Sequence, residues 1–200
     1  MAAPIEFYYD FASPYGYLAS TQIGKLAAKH GRGVVWKPML LGVAFKATGG
    51  QPLPSVPLKG DYSRRDMERT ARLMGIPLNI PSKFPIASQS PARVIHWLAP
   101  EGAARQEEVT AALYRAYMVE DKDISSPEVT AEVAASVGLD RQKVLEVIAD
   151  PAIKEKLKQQ TEAAIQRGVF GSPFIFVDGE PFWGCDRLSQ VERWLETGGW

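Results

Sequence analysis

The sequence predicts an α/β protein whose strands come from both ends of the chain, with a long helical segment between them. Residues 5–12 (IEFYYDFA) are rich in aromatic side chains, as buried strands are. Ser13-Pro14 follows at once, and it pairs a favoured helix N-cap with a favoured first helical residue. Residues 62–167 contain the start and stop signals of several consecutive helices, and strand patterns return after residue 168. The two ends are therefore expected to build one sheet.

The N-terminal part predicts a β-α-β unit. The helix that begins after Ser13 has apolar residues at helical spacing and is stopped by Gly31. Val34–Leu41 (VVWKPMLL) then gives a second strand, and a crossover helix makes the two strands parallel. Gly49–Pro57 is predicted to be a loop because it is rich in glycine and proline.

The middle of the chain predicts several helices. Three dipeptides pair a capping residue with a proline of the first turn: Ser90-Pro91, Ser126-Pro127 and Asp150-Pro151. Gly138 and Gly168 stand where left-handed residues commonly end helices. The amphipathic stretches between these signals indicate helices that pack on one face.

The C-terminal part predicts a β-β-α unit. Pro173–Val177 and Glu180–Trp183 form a hairpin around the turn signal Asp178-Gly179, and Cys185–Leu195 is an amphipathic helix. Neither end has enough strands for a stable core of its own.

A β-α-β unit joined to a β-β-α unit is the arrangement of thioredoxin. The predicted fold is therefore α/β, thioredoxin-like, with a helical insertion domain. Residues 1–61 and 168–200 are assigned to the thioredoxin-like domain, and residues 62–167 to the insertion.

The composition excludes several classes of function. Lys plus Arg and Asp plus Glu both number 23, so the chain has none of the basic bias typical of nucleic-acid binding. No apolar run is long enough for a membrane span, and the N-terminus lacks the basic start of a signal peptide. The single cysteine cannot form an internal disulfide, which favours a reducing, cytoplasmic location.

The turn after the first strand is the first candidate site. Redox enzymes of this fold carry Cys-x-x-Cys there, because the helix N-terminus favours a thiolate. Here the turn reads Ser13-Pro14-Tyr15-Gly16, so the chain has no thiol pair for disulfide exchange. Two interpretations of Ser13 remain. Its hydroxyl either only caps the helix or also donates a hydrogen bond to a thiolate supplied by a ligand.

Two further segments are candidate contacts for such a ligand. Ser172-Pro173 stands directly before a strand. The thioredoxin-like fold places a residue pair here opposite the turn of residues 13–16, which is called the active turn below. We therefore predict a cis bond between Ser172 and Pro173, although trans bonds are commoner. Gly184-Cys185-Asp186 enters a helix, where backbone N–H groups favour a carboxylate. Asp186 alone also suits a helix start, and a lone Cys185 is usually a small buried hydrophobe.

The chain resembles the group of kappa-class glutathione transferases and bacterial 2-hydroxychromene-2-carboxylate isomerases. The resemblance covers nearly the whole chain and rests on four stretches in the correct order: FYYDFASPYGYL, LLGVAFKATGGQP with VPLKGDY, QQTEAAIQRGVFGSPFIFVDG, and FWGCDRL. Members of the group bind glutathione, so the resemblance implies glutathione as the cofactor of this chain.

The resemblance also implies which residues contact glutathione. Ser13 would contact the sulfur, Ser172 and Pro173 the cysteinyl backbone, Cys185 and Asp186 the γ-glutamyl group, while Lys59 and Gly50 lie at positions close to the tripeptide. The group usually has asparagine where this chain has Gly50, and often serine where it has Cys185. At Gly50, either Gln51 substitutes for the missing amide or the affinity for glutathione drops. At Cys185, backbone contacts stay possible and only the side-chain contact is weakened.

The implied activity is the interconversion of 2-hydroxychromene-2-carboxylate and trans-o-hydroxybenzylidenepyruvate through transient addition of the glutathione thiolate. The substrate is a small aromatic carboxylate from aromatic hydrocarbon catabolism, and the implied assembly is a homodimer. Phe84-Pro85 is a candidate aromatic wall, with Lys46 or Arg93 as a carboxylate clamp. His30 and His96 are not taken as catalytic bases, because a helix end and a helix interface account for them.

Two alternatives to the isomerase remain open. A kappa-class transferase would consume glutathione in conjugates with electrophiles, whereas the isomerase regenerates it. A non-catalytic thioredoxin-like binding protein would keep the fold and lose glutathione affinity, and the departure at Gly50 favours keeping that alternative.

The missing thiols lead to a first prediction. The purified protein should not reduce insulin disulfides without added glutathione, because Ser13 and Gly16 occupy the two redox positions. The measurement is insulin turbidity with dithiothreitol as the electron donor and no glutathione, beside a thioredoxin as positive control and a protein-free blank. Reduction above the protein-free rate would contradict this prediction.

Overall fold

The computed structural model describes residues 2–200. Within them, the strands are β1 (Ile5–Tyr9), β2 (Val34–Pro38), β3 (Phe174–Val177) and β4 (Glu180–Trp183). The α-helices of the same residues are α1 (Pro14–Lys29), α2 (Leu41–Thr48), α3 (Lys59–Met74), α4 (Gln89–Trp97), α5 (Ala103–Met118), α6 (Pro127–Ser136), α7 (Arg141–Ala149), α8 (Pro151–Gln166) and α9 (Leu188–Thr197). None of these helices combines the length and apolarity that crossing a bilayer requires.

One four-stranded sheet contains both ends of the chain, in the order β2-β1-β3-β4. β1 runs parallel to β2, with Ile5 opposite Val34, and antiparallel to β3, with Phe7 opposite Ile175. β3 and β4 form the hairpin that Asp178-Gly179 predicts. The prediction of a thioredoxin-like α/β fold is therefore confirmed.

The helical segment packs directly on this sheet. Tyr114 of α5 lies with its ring 5.9 Å from that of Tyr9 and 4.8 Å from that of Phe11. Phe7 and Leu113 belong to the same buried cluster, which joins β1 to the helices. We propose that residues 62–167 form an insertion that shares its core with the sheet.

The strands end earlier than the sequence predicts. β1 ends at Tyr9 because the chain turns at Asp10, whose carbonyl accepts from the N–H of Ser13 at 2.9 Å. β2 ends at Pro38, short of the predicted Leu41, and Leu41–Thr48 forms α2, a helix that the sequence analysis did not predict. A tertiary contact to the first N–H of α2, described below, accounts for this difference.

Two helix starts also differ from the sequence prediction. Ser126 and Asp150 cap their helices as predicted, but α4 begins at Gln89, so Ser90 lies inside its first turn. The C-terminal helix starts as a 3-10 turn over Cys185–Arg187 and continues as α9.

Candidate functional site

Ser13 links the turn after β1 to the loop before β3. The side chain is buried, and its Oγ accepts from the N–H of Gly16 at 3.0 Å, as an N-cap does. The same hydroxyl donates its proton to the carbonyl of Ser172 at 2.9 Å. Capping is therefore one function of Ser13, and its single proton is directed to the opposite loop.

The Ser172-Pro173 peptide bond is cis, which confirms the prediction. The Oγ of Ser172 accepts from the backbone N–H of Asp10 at 2.9 Å, so this loop is bound to the end of β1 from two sides. The carbonyl of Pro173 accepts from the N–H of Gly184 at 3.1 Å. The structure thus brings Ser13, Ser172 and Pro173 together and connects them to the segment that carries Cys185.

Gly16 stands at the second redox position for a packing reason. A Cβ at Gly16 would lie 2.8 Å from Ser172 Oγ and 2.8 Å from the hydroxyl of Tyr114. Real Cβ atoms do not approach other atoms this closely. The first turn of α1 can therefore pack against Ser172 and Tyr114 only because residue 16 has no side chain. The sequence indicated only that a thiol is absent here.

Cys185 and Asp186 lie in different environments. Cys185 is buried, and burial, assisted by the charge of Asp186, raises the pKa of its thiol to about 11. At neutral pH this thiol stays protonated, as expected of a small buried hydrophobe. Asp186 is exposed, and its carboxylate lies against the backbone of Gly184. A side chain at position 184 would collide with this carboxylate.

Gly50 and Lys59 flank the loop between α2 and α3. Lys59 is exposed at the start of α3. A Cβ at Gly50 would lie 2.9 Å from Cδ1 of Phe45, so an asparagine there would need the Phe45 ring to move. In the part of the chain that the structure describes, no hydrogen bond joins Gly50 or Lys59 to Ser13.

Tyr15 and Asp66 attach α3 to the active turn, and sequence reasoning missed this pair. The hydroxyl of Tyr15 donates to Oδ2 of Asp66 at 2.7 Å. This hydrogen bond lowers the pKa of Asp66, and burial together with Asp66 raises that of Tyr15. The hydrogen bond therefore joins α3 to the turn that carries Ser13. The signal was available, because Tyr15 lies inside the Ser13–Gly16 turn.

Asp10 is the second residue that sequence reasoning missed. Its buried carboxylate accepts from the N–H of Ala12 at 2.8 Å and from that of Leu41 at 2.6 Å, and Ser88 provides a third hydrogen bond. Its carbonyl accepts from the hydroxyl of Tyr114 at 2.8 Å. Burial raises the pKa of this carboxyl. The signal in the sequence is a lone carboxylate after a run of aromatic residues.

The structure gives Arg93 a backbone partner, whereas the aromatic wall at Phe84 and a clamp by Lys46 stay predictions. Arg93 donates to the carbonyl of Ile148 at 2.6 Å, and burial lowers its pKa, so its guanidinium is engaged at the end of α7. Phe84 packs against the main core, and Lys46 is exposed on α2.

The side chain of His96 is hydrogen-bonded to the backbone at the end of β2, in line with the interface position that the sequence analysis expected. Its Nε2 lies 2.8 Å from the carbonyl of Pro38, and burial lowers its pKa to about 4. Such an imidazole is neutral at physiological pH and already holds the end of β2.

The fold and the site define a thioredoxin-like protein without a redox thiol pair, in which a serine faces the cis-proline loop. The chain belongs to the DSBA-like thioredoxin domain family, whose family model matches residues 4–196. Its curated relatives fall into the isomerase and kappa-class group that the sequence resembles.

The relatives cover almost the full length of the chain. A 2-hydroxychromene-2-carboxylate isomerase of Sphingobium xenophagum is 33% identical over 98% of this chain and 99% of its own. Human glutathione S-transferase kappa 1 is 27% identical over 96% of this chain and 92% of its own. A solved 2-hydroxychromene-2-carboxylate isomerase superposes with a TM-score of 0.88 at 30% identity, covering 96% of this chain and 94% of its own. These relatives are enzymes, which supports an enzymatic function for this chain.

The burial of Asp10 leads to a prediction about pH. Because its folded-state pKa is raised above the ordinary 3.8, its contribution to stability is greatest below pH 3.8 and is lost as the pH rises through the folded-state value. The unfolding free energy of the wild type minus that of Asp10→Asn should therefore decrease with rising pH. Urea unfolding of both proteins between pH 3.5 and about pH 8 measures this difference.

The control for this comparison is Asp140→Asn, which changes an exposed helix cap that also accepts a backbone N–H. A difference for Asp10→Asn that grows as the pH rises would contradict the prediction.

Proposed function

We propose that the chain is a glutathione-dependent isomerase that interconverts 2-hydroxychromene-2-carboxylate and trans-o-hydroxybenzylidenepyruvate. One observation carries the proposal: the buried Ser13 hydroxyl stands at the N-terminus of α1, 2.9 Å from the carbonyl before the cis proline. The full-length similarity to isomerases supports it. The proposal includes a homodimer that acts in the cytoplasm on a small aromatic carboxylate, within aromatic hydrocarbon catabolism.

The residues around Ser13 fit a ligand with an anionic sulfur. Its Oγ has one proton, which Ser172 now accepts, while its lone pairs serve the N–H of Gly16. By rotating the O–H bond, Ser13 can donate to a thiolate and still cap α1. Ser172 and Pro173 would then face the peptide part of glutathione, with Cys185 and Asp186 near its γ-glutamyl end.

Bound glutathione supplies a thiol that adds to a conjugated double bond and later leaves, so that rotation about the bond becomes possible. The task of the protein is to keep the sulfur deprotonated. The hydroxyl of Ser13 and the positive end of the α1 dipole both favour the anion.

Two other functions stay open as alternatives. A kappa-class transferase is supported by the 27% identity to human glutathione S-transferase kappa 1. A non-catalytic binding protein is supported by Gly50, which lacks the side-chain amide that the group usually has at this position, and by the Phe45 ring beside it.

One experiment separates the three functions. The protein is mixed with 2-hydroxychromene-2-carboxylate, with and without glutathione, while substrate absorbance and total free thiol are followed. The proposal expects equilibration only with glutathione and constant free thiol. Loss of thiol with halogenated nitrobenzenes and no isomerisation would favour the transferase. Absence of heat in a glutathione titration would favour the binding protein.

Replacement of Ser13 tests the catalytic assignment. A hydrogen bond to a charged group is worth about 1.5–3 kcal/mol, and one pKa unit corresponds to about 1.4 kcal/mol. Ser13→Ala should therefore raise the pKa of the bound thiol by roughly 1–2 units, because the bond stabilises only the deprotonated form. Activity should fall at neutral pH and partly recover at higher pH. Ultraviolet titration of the thiolate with glutathione bound measures the pKa.

Ser126→Ala is the matched control for this variant. Ser126 caps α6 by accepting from the N–H of Val129, so its loss removes a helix cap far along the chain from Ser13. Ser126→Ala should lose about 1 kcal/mol of stability, and Ser13→Ala more, because it also leaves the buried carbonyl of Ser172 without its donor. Only Ser13→Ala should shift the thiol pKa, and an unshifted pKa would remove Ser13 from catalysis.

A further inference from the structure

His30 has an unusual environment at the far end of α1. It occupies the C-cap position of that helix, and its side chain is only 15% exposed. Nε2 is buried, and among residues 2–200 it has no hydrogen-bond partner. The nearest charged atom across the gap is Oε1 of Glu192, at 3.8 Å. A buried imidazole nitrogen without a partner calls for an explanation.

Two glutamates of α9 face this nitrogen. Glu192 and Glu196 are four residues apart on the helix, so they share one face. A ligand atom from each, together with one from His30, forms a group whose members all lie within 4.8 Å of one another. Imidazole nitrogen and carboxylate oxygen are both zinc ligands in proteins.

Lys29 now balances part of the negative charge. Its Nζ pairs with Oε1 of Glu192 at 2.5 Å. The Lys29 side chain is 63% exposed, so it can leave the carboxylate for solvent without opening the core.

We propose that His30, Glu192 and Glu196 form a binding site for a divalent transition metal, with zinc as the expected ion. The imidazole nitrogen of His30 and one oxygen of each glutamate would be ligands, and water would complete a tetrahedral set. Zinc–ligand distances of about 2.0–2.2 Å require the ligand atoms to draw closer, which the exposed Glu196 and the displacement of Lys29 allow.

This site is separate from the active turn. α1 has 16 residues and is therefore about 24 Å long, with Ser13 at its start and His30 at its end. A metal here would join α1 to α9, so its effect is on the attachment of the C-terminal helix. The proposal is independent of the glutathione chemistry.

Titration of the metal-free full chain with zinc chloride, by calorimetry, tests the proposal. We expect one zinc ion per chain and a higher melting temperature with zinc than without. Loss of an outer-sphere partner typically costs 10–100-fold in metal affinity, and loss of a ligand should cost at least that. His30→Gln and Glu196→Gln should therefore each weaken zinc binding by about tenfold or more.

Lys29→Met distinguishes a metal site from a simple ion pair. If Lys29 competes with zinc for Glu192, its removal should strengthen zinc binding, although it removes a salt bridge. Glu162→Gln is the matched control, because Glu162 is an exposed helical glutamate with no such neighbours, and its affinity should equal that of the wild type. Cys185→Ser should also keep the affinity, which excludes the buried thiol as the ligand.

Three results would overturn the proposal: no zinc binding by the wild type, unchanged binding in His30→Gln, or weaker binding in Lys29→Met.

Discussion

The buried carboxylate of Asp10 fixes the geometry on which the candidate site depends. It binds the N–H groups of Ala12 and Leu41, so the turn after β1 and the start of α2 are held by one side chain. Its backbone binds Ser172 and Tyr114, which adds the cis-proline loop and α5. A buried carboxylate without these donors would cost several kcal/mol, so the elements around it must assemble together.

The hydroxyl of Ser13, which lies within this geometry, has a single proton to donate. Ser13 donates that proton to the carbonyl of Ser172, which is a neutral acceptor. An anionic sulfur is a stronger acceptor than a neutral carbonyl, so exchange of partners favours the anion. The gain is partly offset because the Ser172 carbonyl must then find another donor. Backbone groups of a peptide ligand can supply it.

The sequence predicts those parts of the fold that local chemistry determines. Ser13-Pro14 marks the start of α1, and Asp178-Gly179 marks the hairpin, because caps and turns depend on neighbouring residues. The start of α2 is different, since its first N–H is bound by Asp10, about thirty residues away in the chain. The same holds for Arg93, whose partner, the carbonyl of Ile148, is known only from the fold.

The closely packed glycine at position 16 limits which residues this turn can carry. Cysteines at the two ends of the turn would recreate a Cys-x-x-Cys spacing. The second Cβ would, however, meet Ser172 and Tyr114 at 2.8 Å, before any sulfur is placed. A thiol pair at this turn would therefore require the side chains of Ser172 and Tyr114 to move or to be replaced as well.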